Sequence, residues 1–346
     1  MNEIHLHTSA GLDALAAAFA AHVSVAGDPF ARPLVLVPGA GVQRWLSQQA
    51  ARGASDGEGI TAGWDVQRLG ALDELVGGRR ADDPWAPQRL VWSILAATDA
   101  GAAGLEPLAA HLAANDQRYA NALRLARLFA RYADHRPAML AGWLADPDAA
   151  AFALGFDAWQ VRLWQALHTL IGAPDPVRAR PLLAAAIADG DRAVRWPQVH
   201  VFAPRRSTPA QRALLAALAT RVPVHVWLPT CGPAETGNAL ALALGRPART
   251  WHQEWAALAG RGTEHSSPVP GGTALAALQA SVHAGAPVPA TEGDGSLTIH
   301  ASHGEARQVE VLREVLTGLF ADDPTLEPRD VVVACPDPAA LAPHLS

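Results

Sequence analysis

Lysine is absent from this chain of 346 residues, and all 27 basic residues are arginine. Every chemistry that needs an ε-ammonium group is therefore excluded: a Walker A lysine, a pyridoxal Schiff base, a lysine nucleophile and a D/E-x-K nuclease centre. Cysteine is almost absent too. Cys231 and Cys335 lie far apart with no CxxC spacing, which argues against a zinc framework and for a reducing compartment. No apolar run reaches membrane-spanning length, and the polar start MNEIHLHTSAG does not read as a signal peptide. The expectation is a cytoplasmic protein with no membrane partner. The net charge of −6 gives no general attraction to nucleic acid, so any such contact must rest on local clusters.

What is present is apolar, about half of the residues, enough for two or three globular units. A helix pattern over 11–24 precedes the fully apolar run 34–37, which predicts a buried parallel strand, and a helix over 41–52. From about 84 to 190 apolar residues recur at three and four, the pattern of helices alone. QVHVFAP (198–204) and PVHVWLP (223–229) flank a helical segment and predict a β-α-β unit. Residues 230–295 read as an irregular connection with one helix around TWHQEWAALA. A second unit is expected from strand 296–302, helix 305–320 and strand 331–335. The fold class expected is thus α/β. Its parts are an α/β domain of residues 1–80 and 191–235, a helical insertion 81–190, a connection 236–295, and a second α/β domain begun at 296–346. The chain stops one strand into that last domain, as a fragment of something longer would.

The segment PLVLVPGAGVQRWL (33–46) has the strand, glycine turn and helix of a phosphate-binding loop. Its chemistry is missing. Val42, Gln43, Arg44 and Trp45 follow the glycines, with neither the lysine that reaches the β- and γ-phosphates nor the hydroxyl that holds Mg²⁺. A dinucleotide fingerprint fails as well, because arginine stands at position 44, where a small residue lets helix and strand pack. Arg44 and Trp45 sit at the mouth of this loop, placed to meet a ligand.

Arg118, Arg124, Arg127, Arg131 and Arg136 lie along one helical segment, and Arg124, Arg127 and Arg131 share a ridge. Such a ridge is either a solvated face or a wall that tracks phosphates, since guanidinium forks grip phosphate and stack on bases. Arg136 precedes Pro137, which biases it toward extended backbone and turns it off the ridge, toward the loop of Arg44 and Trp45. His5 and His7 alternate along the first strand and share a face. With no cysteine or acid in reach, packing or solvation is the reading taken, and no metal or catalytic site is assigned. His200 and His225 hold equivalent points in neighbouring strands, where core packing is expected.

Several segments together resemble the N-terminal part of the RecC family, the gamma subunit of exodeoxyribonuclease V. They are HTSAGLDALAAAF, DPFARPLVLVPGAGVQRWL, LFARYADHRPAMLAGW, WQVRLWQAL, VHVFAPRRSTPAQRALLAAL with VHVWLPTC, and SLTIHASHGEARQVEVLREVLTGLFADDPTLEPRDVVVACPD. The resemblance implies a superfamily 1 helicase-like fold with degenerate ATPase motifs, divided into 1A-like, 1B-like and 2A-like parts. It implies a non-catalytic subunit of a helicase–nuclease in recombinational repair that scaffolds RecB-like and RecD-like motors, helps split duplex ends and scans the 3′ strand for Chi. ATP and Mg²⁺ would be bound by those partners, with no cofactor in this subunit. Carried over residue by residue, the strand channel takes Pro38, Ala40 and Arg44 from the loop. From the helix it takes Arg127, Leu128, Ala130 and Arg131, with Arg136 in the HRP segment. Trp45 and Arg124 join them on the reading of the residues. The family pattern has polar or acidic residues where Pro38, Ala40, Arg127 and Ala130 stand here, so strand binding is implied more directly than reading of a Chi octamer. The remaining alternative is an α/β interaction scaffold whose basic helix is surface alone.

Overall fold

A computed structural model describes residues 3–24, 30, 32–53, 59–77, 82–114, 116–232, 236–267 and 271–345. The expected boundaries at 80/81 and near 235 lie outside the described residues, as does part of the expected connection SSPVPGG. The chain opens with β1 (Ile4–Ser9), α1 (Leu12–Ser24), β2 (Leu34–Val37), α2 (Ala40–Gly53), β3 (Asp65–Arg68) and a short α3 (Leu72–Leu75). A helical run follows: α4 (Pro87–Asp99), α5 (Glu106–Ala113), α6 (Arg118–His135), α7 (Pro137–Ala145), α8 (Pro147–Leu154), α9 (Trp159–Ile171) and α10 (Pro176–Asp189). The chain then returns to the sheet with β4 (Val199–Phe202), α11 (Pro209–Ala219), β5 (Val224–Pro229), α12 (Ala239–Leu244), α13 (Arg246–Ala256) and β6 (Ala259–Glu264). It ends in α14 (Ala274–Ala284), α15 (Gly304–Asp322) and α16 (Pro338–Leu345).

Proline explains many of the helix starts. It stands in the first turn of α4, α5, α7, α8, α10, α11 and α13, where its missing N–H costs nothing. Asp146, Asp175 and Thr208 accept amide hydrogens at the starts of α8, α10 and α11. Thr208 and Gln211 form a reciprocal capping box. Gly172 and Gly190 end α9 and α10 in the left-handed region, which favours glycine.

The strands form one parallel sheet in the order β3-β2-β4-β5-β1-β6. Alternation sends Ile4, Leu6, Leu34, Leu36, Val199, Val201, Val224 and Val226 to one face, against Leu72, Ile187 and Leu214, Leu215 and Leu218 of α11. Val35, Val37, Phe202 and Trp227 point to the other face, against Leu15 and Phe19 of α1 and Leu46 of α2. Strands buried on both sides carry apolar residues in succession, which is why LVLV of β2 was legible. The helical run has a core of its own around Phe129, Trp143, Trp164 and Trp85.

The residues form two compact units, 1–268 with 282–287, and 269–281 with 288–346. The first unit bears out the α/β class, the β-α-β unit of β4, α11 and β5, and the helices of 84–190. Two strands were not anticipated. β3 is DVQR and β6 is AGRGTE, neither with an apolar alternation, and each is an edge strand held by its neighbour's backbone. β6, α12 and α14 also correct the reading of 236–295 as irregular with one helix.

The second unit corrects a further expectation. α15 forms as predicted, but 296–302 and 331–335 form no strands. A strand needs a hydrogen-bonded neighbour, and neither run pairs with one among the described residues. Ile299 and Val332 are each 88% exposed.

Candidate functional site

The loop at the end of β2 is short. Only Pro38 and Gly39 separate β2 from α2, and the Gln43 amide donates to the Gly39 carbonyl at 3.1 Å. A Cβ at Gly39 or Gly41 would meet nothing within 4 Å, so no close approach demands glycine at either position. Pro38 is half-buried, and Ala40 and Arg44 are exposed. Trp45 is half-buried and leans on the α1 face of the sheet, its ring 6.2 Å from Phe202. That packing turns Trp45 toward the core, where the sequence placed it at the mouth of the loop.

The strand order gives this loop a meaning that sequence alone did not. α2 lies on the α1 face and α11 on the opposite face, so the connections diverge between the adjacent strands β2 and β4. Ligands of open α/β sheets bind at the carboxyl ends of strands at such a switch point. The segment leaving β4 is Ala203-Pro204-Arg205-Arg206. Ala203 has φ +46°, the positive-φ non-glycine residue among those described, and Arg205 and Arg206 are exposed. These arginines, missed in the sequence, join Arg44 at the same end of the sheet. The signal was a paired arginine between a buried strand and the Thr208 cap.

On α6 the ridge is as expected. Ala122, Ala126, Phe129 and Ala133 are buried against the helical core, and Arg124, Arg127 and Arg131 are exposed. Arg124 reaches Asn121 at 3.5 Å, while Arg127 and Arg131 have no ion-pair partner among the described residues. Arg118 differs, being paired with Asp99. Leu128 and Ala130 are half-buried on the flanks. Arg136 is exposed between α6 and α7 with φ −135° and ψ 47°, which leaves the helical region but does not reach the extended backbone expected from Pro137. No hydrogen bond, ion pair or ring contact among the described residues joins it to Arg44 or Trp45.

The third constellation is made of histidine. His5 and His225 are direct partners in the β1–β5 register, and His225 and His200 in the β5–β4 register. His7 stacks on Trp227 at 3.8 Å. His22 reaches in from α1, and His265 from the end of β6. His7 Nδ1 lies 3.1 Å from His265 Nε2, His7 Nε2 lies 3.1 Å from His225 Nδ1, and His225 Nε2 lies 3.3 Å from His22 Nε2. Trp227 donates to His200 Nδ1, which leaves the His200 proton on a buried, unpartnered Nε2. Burial, reinforced by the neighbouring imidazoles, lowers His7 to about 2 and His225 to about 4, so the rings are neutral at pH 7. His200 and His225 are both buried, as the core reading expects. Sequence missed His22, on the helix directly after β1, and His265, which is remote from β1 along the chain.

The model of the RecC N-terminal domain matches residues 4–257. The chain belongs to the RecC family. Among curated relatives, the RecBCD enzyme subunit RecC of Mycobacterium tuberculosis is 37% identical over 391 residues, covering 98% of this chain and 35% of the relative. The RecC subunit of Mycolicibacterium smegmatis is 36% identical over 385 residues, 99% of this chain and 34% of its own length. The RecC of Escherichia coli is 40% identical over 52 residues, 15% of this chain. The chain spans about a third of the length of the RecC relatives it matches throughout.

Proposed function

We propose that this RecC-family chain serves as a non-catalytic, DNA-binding part of a RecBCD-type helicase–nuclease acting in recombinational repair in the cytoplasm. It would scaffold RecB-like and RecD-like subunits, help part a duplex end and guide the 3′ strand past a Chi-scanning channel. The observation that carries the reading is the ridge of exposed arginines on α6, whose Arg127 and Arg131 have no acidic partner among the described residues. Guanidinium groups free of carboxylates are available to phosphates, and the chain's overall charge of −6 makes such a local ridge the electrostatic feature that favours a strand. Arg44, Arg205 and Arg206 extend the same chemistry at the switch point of the sheet.

In this reading the loop at 38–46 binds no nucleotide. It has no lysine and no hydroxyl, and ATP and Mg²⁺ belong to the partner subunits. The fold is a helicase-like one whose ATPase motifs have decayed. The test is assembly with RecB-like and RecD-like subunits, followed by fluorescence anisotropy of single strands on the complex. Weakened binding after replacement of Arg127 and Arg131 supports the channel. Unchanged binding for both, across salt, leaves only a scaffold with a solvated basic face.

A further inference from the structure

Six of the chain's 14 histidines, His5, His7, His22, His200, His225 and His265, gather on the α1 side of the sheet. We propose that His5, His7 and His225 bind one borderline transition-metal ion, of the zinc(II), cobalt(II) or copper(II) type, clamping β1 to β5. Their nearest ligand nitrogens lie within 4.8 Å of one another, and no other group of three histidine, cysteine or acidic residues does this among the described residues. A tetrahedral ion with bonds of about 2.0–2.1 Å to imidazole needs nitrogens about 3.3–3.4 Å apart. Reaching that spacing requires the His5 ring to turn out of its stack on His7, where the ring centroids are 4.2 Å apart.

The backbone prearranges the three rings. His5 and His7 are two residues apart on one strand and so share a face, and His225 is the register partner of His5 on the adjoining strand. His22 and His265 stand within 3.3 Å of His225 and His7, so a fourth imidazole is at hand, and His5 is half-buried beside solvent-facing Thr263, which gives a route of entry. An all-imidazole set selects the borderline ions, whereas Mg²⁺ and Ca²⁺ want oxygen. Arg261 beside His5 adds like charge, so affinity rests on the nitrogen lone pairs alone.

Without an ion, the four rings His265, His7, His225 and His22 satisfy one another only if every ring holds the same direction of N–H donation. Apolar side chains would fill this space without that constraint and without burying polar nitrogens. His200 remains outside the ligand set. Its Nε2–H is unpartnered, and its Nδ1 accepts from Trp227, so it packs against the set.

The experiment uses the full chain without a histidine tag, treated with a chelator and returned to metal-free buffer. Zinc(II) competition against a chromophoric chelator should give one site per chain, and cobalt(II) should develop visible ligand-field bands that zinc(II) removes. Excess Mg²⁺ should displace neither. His5→Gln should weaken zinc(II) binding at least tenfold with an unchanged far-ultraviolet spectrum, because His5 lies at the half-buried edge. His252→Gln, on α13, should leave binding unchanged. Zinc(II) should raise the melting temperature of the parent chain and do so less in His5→Gln. Absence of a stoichiometric site, or binding that His5→Gln leaves intact, overturns the proposal. The His5 variant reports alone, so the test does not depend on whether a His7→Gln chain folds. The outcome is independent of the DNA-binding reading.

Discussion

Arg180 on α10 is 11% exposed and meets two carboxylates, Asp73 of α3 and Asp134 of α6, while donating to the Ala133 carbonyl. Burial opposes its charge, but the facing carboxylates outweigh that and raise its pKa further. Removing one member of a buried ionic cluster leaves the others uncompensated. Arg180→Ala should cost about 3–5 kcal/mol in chemical denaturation, and a loss under about 1 kcal/mol would show that water repairs the site. Gly41 makes the opposite kind of prediction. A Cβ there meets nothing within 4 Å and the position is exposed, so Gly41→Trp should leave the melting temperature nearly unchanged. Calorimetric titration of the parent chain with Mg·ATP should show no heat of binding. Micromolar binding that Gly41→Trp abolishes would restore a nucleotide site to the loop.

At the scale of elements, α6 shows one helix with two unlike faces. Its alanine and phenylalanine stripe is buried, and its arginines stand on the other side. If the ridge tracks phosphates, Arg127→Ala and Arg131→Ala should each lower the single-strand salt slope of the assembled complex by about 0.7. Equal weakening on every sequence identifies phosphate contact; weakening on preferred sequences alone identifies base reading. The edge strand β3 is held differently. Asp65 accepts from Trp196 at 2.9 Å and from Gln67 at 2.8 Å, with Arg195 nearby. Burial works against its charge, but these donors and the Arg195 and Arg32 guanidiniums prevail and depress its pKa below 3.8. A folded pKa below the unfolded one means that the stabilisation is present above the unfolded value and is lost as pH falls through the folded one. Asp65→Asn should therefore cost about 1–2 kcal/mol at pH 7 and nothing at the acid end, read from denaturation curves across pH.

For the whole molecule, the contrast is between its two units. The first buries β2, β4 and β5 on both faces, and the second has helices α15 and α16 beside extended runs that pair with nothing among the described residues. Amide exchange should be slow along β4 and β5 and fast at 298–302 and 332–335. Strong protection of the latter runs in the isolated chain would mean that they find ladder partners after all.

The sequence by itself determined the α/β class, the helical run and the lack of lysine and hydroxyl in the loop at 38–46. Each of these is written in local pattern: apolar runs bounded by proline and glycine, a 3.6-residue period, and residue types that are present or missing. The exposed ridge Arg124, Arg127 and Arg131 was legible for the same reason. Residues 296–302 and 331–335 had a strand pattern and formed none, because a ladder is a property of two segments. β3 and β6 had no pattern and became strands, because a neighbour's backbone was available. Only tertiary structure brought Arg205 and Arg206 beside the loop of Arg44, through the adjacency of β4 and β2. It alone gathered His5, His7 and His225: the last two are 218 residues apart in the chain and 3.1 Å apart in space. Parallel pairing joins strands that are remote in sequence, so a site built across the register has no spacing for a linear reading to find.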